Sequence, residues 1–199
     1  MFRVLFVILL FLGAIHAAKV APLPKENLLT LGIQLAQGTS TETLSNKTGS
    51  KDYSYDLSSV KILIGQDRDF YNMGMQTSRL QLSYKYSELD ADLSFATFSM
   101  GYQENMRYWS LFRRGNHEVY PYASVELGYN ALKKADISSK GKSVEVDVGM
   151  AYAYRDVAFT LAVASNYIEW NHPEDGINDY MQNYQLSVGM TYRFMDTGR

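Results

Sequence analysis

An all-β fold, an eight-stranded antiparallel up-and-down transmembrane β-barrel, is what this sequence predicts, and three observations predict it. Apolar residues recur at every second position in one segment after another, which is the period of a strand and not of a helix. Polar stretches rich in Ser, Asn, Asp and Gly separate these segments and turn the chain. The 199 residues hold about eight such segments, each near the ~10 residues that a tilted strand needs to cross a bilayer.

The amino terminus comes first. "MFRVLFVILLFLGAIHAAK" places Arg3 before an apolar run from Val4 to Leu12, followed by small residues, with Ile15 and Ala17 suited to a signal-peptidase site. Residues 1–17 are therefore expected to be a cleaved signal peptide. The run is too short to span a bilayer as a helix, which takes about 20 residues. Residues 18–26, with Pro22 and Pro24, form an extended lead-in. The barrel is expected over 27–194, and residues 195–199 form a tail.

Within the barrel, Leu29, Leu31, Ile33 and Leu35 alternate with Thr30, Gly32, Gln34 and Ala36. "GTSTETLSNKTGSKDYS" has no period and reads as a long loop. Val60, Ile62 and Ile64 then alternate with Lys61 and Leu63. The cleanest strand sets Leu80, Leu82, Tyr84 and Tyr86 against Arg79, Gln81, Ser83 and Lys85. "SELDAD" is a turn, and "LSFATFSMGY" is a strand of ambiguous phase. Val125, Leu127 and Tyr129 oppose Ser124, Glu126 and Gly128, and "KKADISSKGKS" is a polar loop. Val144 to Tyr154 in even steps oppose Glu145, Asp147, Gly149, Ala151 and Ala153. After the two-residue turn Arg155–Asp156, Val157, Phe159, Leu161 and Val163 oppose Ala158, Thr160, Ala162 and Ala164. "IEWNHPEDGINDYM" is a further loop. The last strand sets Leu186, Val188, Met190, Tyr192 and Phe194 against Ser187, Gly189, Thr191 and Arg193. Segments 66–78 and 103–119 read either as long turns or as strand extensions.

Two solutions satisfy such alternation. A soluble carrier puts the apolar phase inside, and a membrane barrel puts it outside against lipid. The second phase favours the membrane solution, because Gly and Ala stand between its charges. Small residues suit the narrow interior of an eight-stranded barrel better than a wet outer face. The apolar phase also ends in aromatics, the composition of girdles at headgroup level: Tyr84, Tyr86, Tyr129, Tyr152, Tyr154, Tyr167, Tyr192 and Phe194. With the amino terminus in the periplasm, loops 38–54, 132–143 and 169–182 fall outside the cell, and Arg155–Asp156 falls inside.

These features resemble the small outer-membrane β-barrels of Gram-negative bacteria, the OmpA-like and OmpX-like eight-stranded group of the porin family. The export signal, the dyad strands, "YPYASVELGY" over 120–129 and a last strand ending in Phe194 carry the likeness. It implies an exported monomer embedded in outer-membrane lipid. It also implies that the barrel-assembly machinery reads the terminal strand, with Phe194 as the signal. Here "MDTGR" follows that aromatic.

The candidate site is the charged phase. If it faces inward, Lys61, Arg79, Lys85, Glu126, Glu145, Asp147 and Arg193 form a lumen network, because unpaired charge in so narrow a space is costly. Such a network either plugs the lumen or gates a narrow pore. Catalysis at the rim requires a Ser, His and acid cluster. His172, with Glu169, Glu174, Asp175, Asp179 and Ser165 nearby, imitates no triad, and His117 reads as part of a solvated turn. "PEDGIND" lacks calcium-loop spacing, and Asn46-Lys47-Thr48 matches only the glycosylation tripeptide. Trp109 and Trp170 read as interface anchors. No cysteine is present, which excludes disulfides, Cys-ligated zinc and thiol catalysis. A net charge of −2 gives no basic excess for nucleic acid. The expectation is a non-enzymatic outer-membrane barrel with a structural or surface-interaction role, without cofactor or metal. A narrow pore for ions or small solutes and a soluble periplasmic lipocalin-like carrier are the alternatives.

Overall fold

Nine strands account for almost all of the residues that the computed structural model of the protein describes, namely 28–46, 49–68, 77–89, 93–134, 137–172 and 177–194. The expected signal peptide, lead-in and tail lie outside them. In chain order the strands are β1 (Leu28–Asn46), β2 (Gly49–Arg68), β3 (Thr77–Leu89), β4 (Leu93–Asn105), β5 (Phe112–Arg114), β6 (His117–Lys134), β7 (Ile137–Tyr154), β8 (Val157–His172) and β9 (Ile177–Phe194). All pairings are antiparallel, in the order β4-β3-β2-β1-β9-β8-β7-β6, and β6 pairs back onto β4. Eight strands thus form a closed barrel with no free edge along its wall, the arrangement in which every strand finds two partners. The seam joins the first strand to the last, with Leu29 opposite Phe194. We call the end bearing that pair the terminal end and the opposite end the distal end.

Side-chain direction follows the alternation. Leu31, Ile62, Leu82, Leu127, Val146, Leu161 and Val188 are exposed on the outer wall, whereas Lys61, Arg79, Glu126, Asp147 and Ser187 are buried. The phase of β4 was ambiguous for a physical reason. Its apolar residues switch sides: Leu93 and Phe95 are buried in the lumen, while Phe98, Met100 and Tyr102 are exposed outside.

Three expected outer loops are strands instead. β1 continues to Asn46 and pairs with β2 from Gly49; β6 continues through 132–134 and β7 begins at 137; β8 continues to 172 and β9 begins at 177. These extensions carry Thr and Tyr, which suit strands, and Thr43 Oγ1 donates to Asp52 Oδ1 at 2.8 Å across the first hairpin. With polar residues in both phases, the period disappears from the sequence although the strand persists. β3 and β4 have 13 residues each against 16 to 20 in the other six, so those six rise past the β3–β4 hairpin at the distal end.

The connection 106–116 is neither a plain turn nor a plain strand extension. Met106 N donates to Pro121 O at 3.0 Å and Leu111 N donates to Val119 O at 2.9 Å. The residues between them bulge out of the sheet, with one 3₁₀ turn over Arg107–Trp109. β5 then takes the edge of β6 that β4 has left, with Phe112 opposite Val119. Gly115, at φ 58°, closes the hairpin in the left-handed region that glycine tolerates.

Candidate functional site

The inward phase forms three layers along the lumen. In the middle layer, Lys61 on β2 lies among acids from the facing wall. Its Nζ is 2.9 Å from Glu126 Oε1, 2.5 Å from Glu145 Oε1 and 3.7 Å from Asp147 Oδ2. Lys85 on β3 reaches Glu145 Oε2 at 2.5 Å. Glu126 also accepts hydrogen bonds from Gln81, Ser83 and Ser99, at 2.7, 2.7 and 2.5 Å. Asp147 accepts one from Ser124 at 3.0 Å. Close packing makes these contacts possible. A Cβ at Gly101 would stand 2.4 Å from Glu126 Cγ, so glycine there leaves the carboxylate its place.

The terminal layer joins four strands. Asp67 on β2 accepts from Arg79 Nε of β3 at 2.6 Å and pairs with Arg193 Nε of β9 at 3.0 Å. Arg193 also donates to the Tyr120 hydroxyl at 2.9 Å. Below them, Glu118 holds both Arg107 and Arg113, and Ser110 Oγ donates to it at 2.6 Å. Across the middle and terminal layers, Lys61, Lys85, Arg79 and Arg193 balance Glu126, Glu145, Asp147 and Asp67.

The distal layer is built on an apolar cluster, with the buried acids Glu42 and Asp179 beside it. Leu57, Phe95, Leu132, Ile168, Trp170 and Met181 meet across the lumen, each at most 5% exposed. Phe95 and Trp170 pack edge to face with centroids 5.8 Å apart. The cavities left in the charged layers measure about 10 and 20 Å³, room for about one water molecule each.

All seven charges expected from the sequence are therefore brought together inside. Sequence reasoning missed Asp67, Glu118 and the apolar layer. Asp67 lies in "QDRDFYNMGMQTS", where no period was visible, and Arg79 in the lumen phase with no acid on an adjacent strand was the available signal. Trp170 is corrected: it faces into the lumen at 2% exposure and is not an outer anchor. Trp109 is exposed. His117 is exposed, as expected, but it heads β6 and does not lie in the turn itself; it stacks on Tyr154 at 4.5 Å and places Nδ1 2.7 Å from the Tyr152 hydroxyl. The eight expected girdle aromatics all point outward. The side chain of His172 and residues 173–176, including Glu174 and Asp175, lie outside the described set.

Among the described residues, Glu126, Glu145 and Asp147 are the acids close enough to hold a metal ion, with ligand oxygens within 4.8 Å of one another. The donor set does not fit one. The Lys61 ammonium already stands among these oxygens and Lys85 holds the second oxygen of Glu145, so a divalent ion would have to enter beside two buried cations.

Comparison with known proteins extends the description of the fold. No protein-family model matches the sequence, and no curated protein is similar to it. The structure is similar to that of the outer-membrane enzyme PagL, at a TM-score of 0.50 and 12% identity, over 79% of this chain and 97% of that one. The likeness is one of fold. Neisserial surface protein A matches over 82% of this chain and 97% of its own at 16% identity, with a TM-score of 0.47. The N-terminal β-barrel domain of Pseudomonas aeruginosa OprF matches over 85% and 100% at 12% identity, with a TM-score of 0.42.

Proposed function

We propose that this chain is a non-enzymatic integral barrel of the Gram-negative outer membrane, with a sealed lumen and a structural or surface-interaction role. The observation that carries the reading is the inversion of the two phases. The outer wall is a continuous apolar belt ending in aromatics, and the inside is charged and ion-paired. Water is a poor solvent for such a belt, whereas the acyl chains of a bilayer match it. A soluble carrier needs the opposite arrangement, and the apolar distal layer counts against a pore. The six strands that rise past the β3–β4 hairpin supply a surface beyond the belt, which supports an interaction role.

Outer-membrane fractionation combined with gel mobility before and after boiling tests the proposal. The expected result is a membrane-fraction protein that migrates differently when unboiled. A soluble protein with one mobility overturns it.

A further inference from the structure

The bulge between β4 and β5 exposes three large apolar side chains, Trp109, Leu111 and Phe112, each close to half exposed. A solvated turn has no use for them. Phe112 also continues an outer row across neighbouring strands, through Val119 and Tyr152 to Phe159. The apolar belt therefore runs onto this excursion at the terminal end.

Charge completes the pattern. Arg107 and Arg113 already overcompensate Glu118. Arg114 and Arg155, both exposed, carry no ion pair among the described residues; Asp156 follows Arg155 in the chain, and Glu104 near Tyr108 is a partly exposed acid at this end. Arg155 N donates to Asn116 O at 3.3 Å, which ties the two turns together, and its guanidinium lies over Tyr154 at 5.4 Å. Surplus guanidiniums beside exposed aromatics are the chemistry of a headgroup layer, where rings sit at the boundary and cations meet phosphate.

We infer that the excursion 107–116 is an interfacial foot that docks on an anionic phospholipid leaflet, with Trp109, Leu111 and Phe112 at the acyl boundary and Arg114 and Arg155 on the phosphates. This rests on the proposed lipid-embedded barrel and adds an occupant for one patch. The foot also holds the barrel's depth in the bilayer, since its other side is fixed to the lumen through Glu118.

The chain contains two tryptophans, one on the foot and one in the apolar layer, which gives a direct readout. Full-length Trp170→Phe and Trp109→Phe variants are folded into phosphatidylcholine vesicles with or without phosphatidylglycerol, using acyl-brominated lipid as quencher. Trp109 is expected to lose emission to shallow bromines and to shift blue, whereas Trp170 does not. Phosphatidylglycerol increases that loss at low salt, and Arg114→Gln with Arg155→Gln abolishes the increase. Unquenched Trp109 in a barrel with heat-modifiable mobility overturns the foot and leaves the barrel reading intact. An increase that persists in the double variant overturns the assignment of those arginines. Failure of every variant and the parent to acquire heat-modifiable mobility overturns the lipid barrel itself.

Discussion

The Lys61 ammonium lies 2.5 Å from the Glu145 carboxylate, from β2 to β7 across the lumen, with both side chains buried. Neither strand neighbours the other in the sheet, so this contact depends on barrel closure. Lys61→Met would leave Glu126, Glu145 and Asp147 without the cation they share. Breaking a buried ion pair from one side costs about 3–5 kcal/mol. Urea unfolding in vesicles should show that loss, and Lys61→Met with Glu126→Gln, which leaves Glu145 to Lys85, should recover part of it. An unchanged midpoint in the single variant would contradict the pairing.

Gly101 tests how tightly the network is packed. An added methyl would lie 2.4 Å from Glu126 Cγ and 2.7 Å from the Val125 carbonyl oxygen. Because backbone is among the close atoms, the neighbour cannot simply rotate away. Gly101→Ala is expected to destabilise the barrel by about 1–3 kcal/mol, the cost of overpacking, seen as a lower thermal midpoint of the β signal. A midpoint equal to the parent's would show that β4 and β6 stand further apart.

Conductance tests the seal. Two barriers lie in series, the apolar layer around Phe95 and Trp170 and the ion-paired layers below it. In planar bilayers neither the parent nor Phe95→Ala with Trp170→Ala should pass steady current. Trp170→Ala should nevertheless cost about 3–5 kcal/mol, the usual price of emptying a packed aromatic site. Steady current through the parent would restore the pore reading.

How much of this was legible follows from where two solvents differ. Along the middle of each strand, apolar belt and charged lumen alternate residue by residue, so Leu82 and Lys85, or Val146 and Asp147, betray both strand and direction. At the distal ends that contrast vanishes. Leu57, Ile168 and Met181 are apolar on the inside, and Thr41, Asp52 and Ser54 are polar on the outside. The extended strands therefore read as loops, and Trp170 was assigned to the wrong wall. Which acid meets which base was not legible either, because partners such as Lys61 and Glu145 are set by closure and not by spacing.

The last strand supplies a test of assembly. Phe194 is outward-facing, opposite Leu29 at the seam, and packs edge to face on Tyr192 at 4.7 Å. Phe194→Ala is expected to lower the fraction of chain that reaches the heat-modifiable form in cells, whereas deletion of residues 195–199 leaves it near the parent's. The opposite pattern would move the assembly signal into the tail.

The placement of the charges bears on how the chain finds its shape. Within the two charged layers, β2 and β3 bring Lys61, Arg79 and Lys85 with Asp67, a surplus of two positive charges. β6, β7 and β9 bring Glu126, Glu145 and Asp147 with Arg193, a surplus of two negative ones. For these eight residues each half of the sheet is electrically lopsided, and curling the halves onto each other makes the set neutral, while Glu118 is met separately by Arg107 and Arg113. In a nonpolar surrounding that attraction is long-ranged. The pairing of β1 with β9, the contact most distant in sequence, is the one that brings the two sets within reach of each other. The side chains that fill the finished barrel are thus also the ones that an open sheet would leave without their counter-charges.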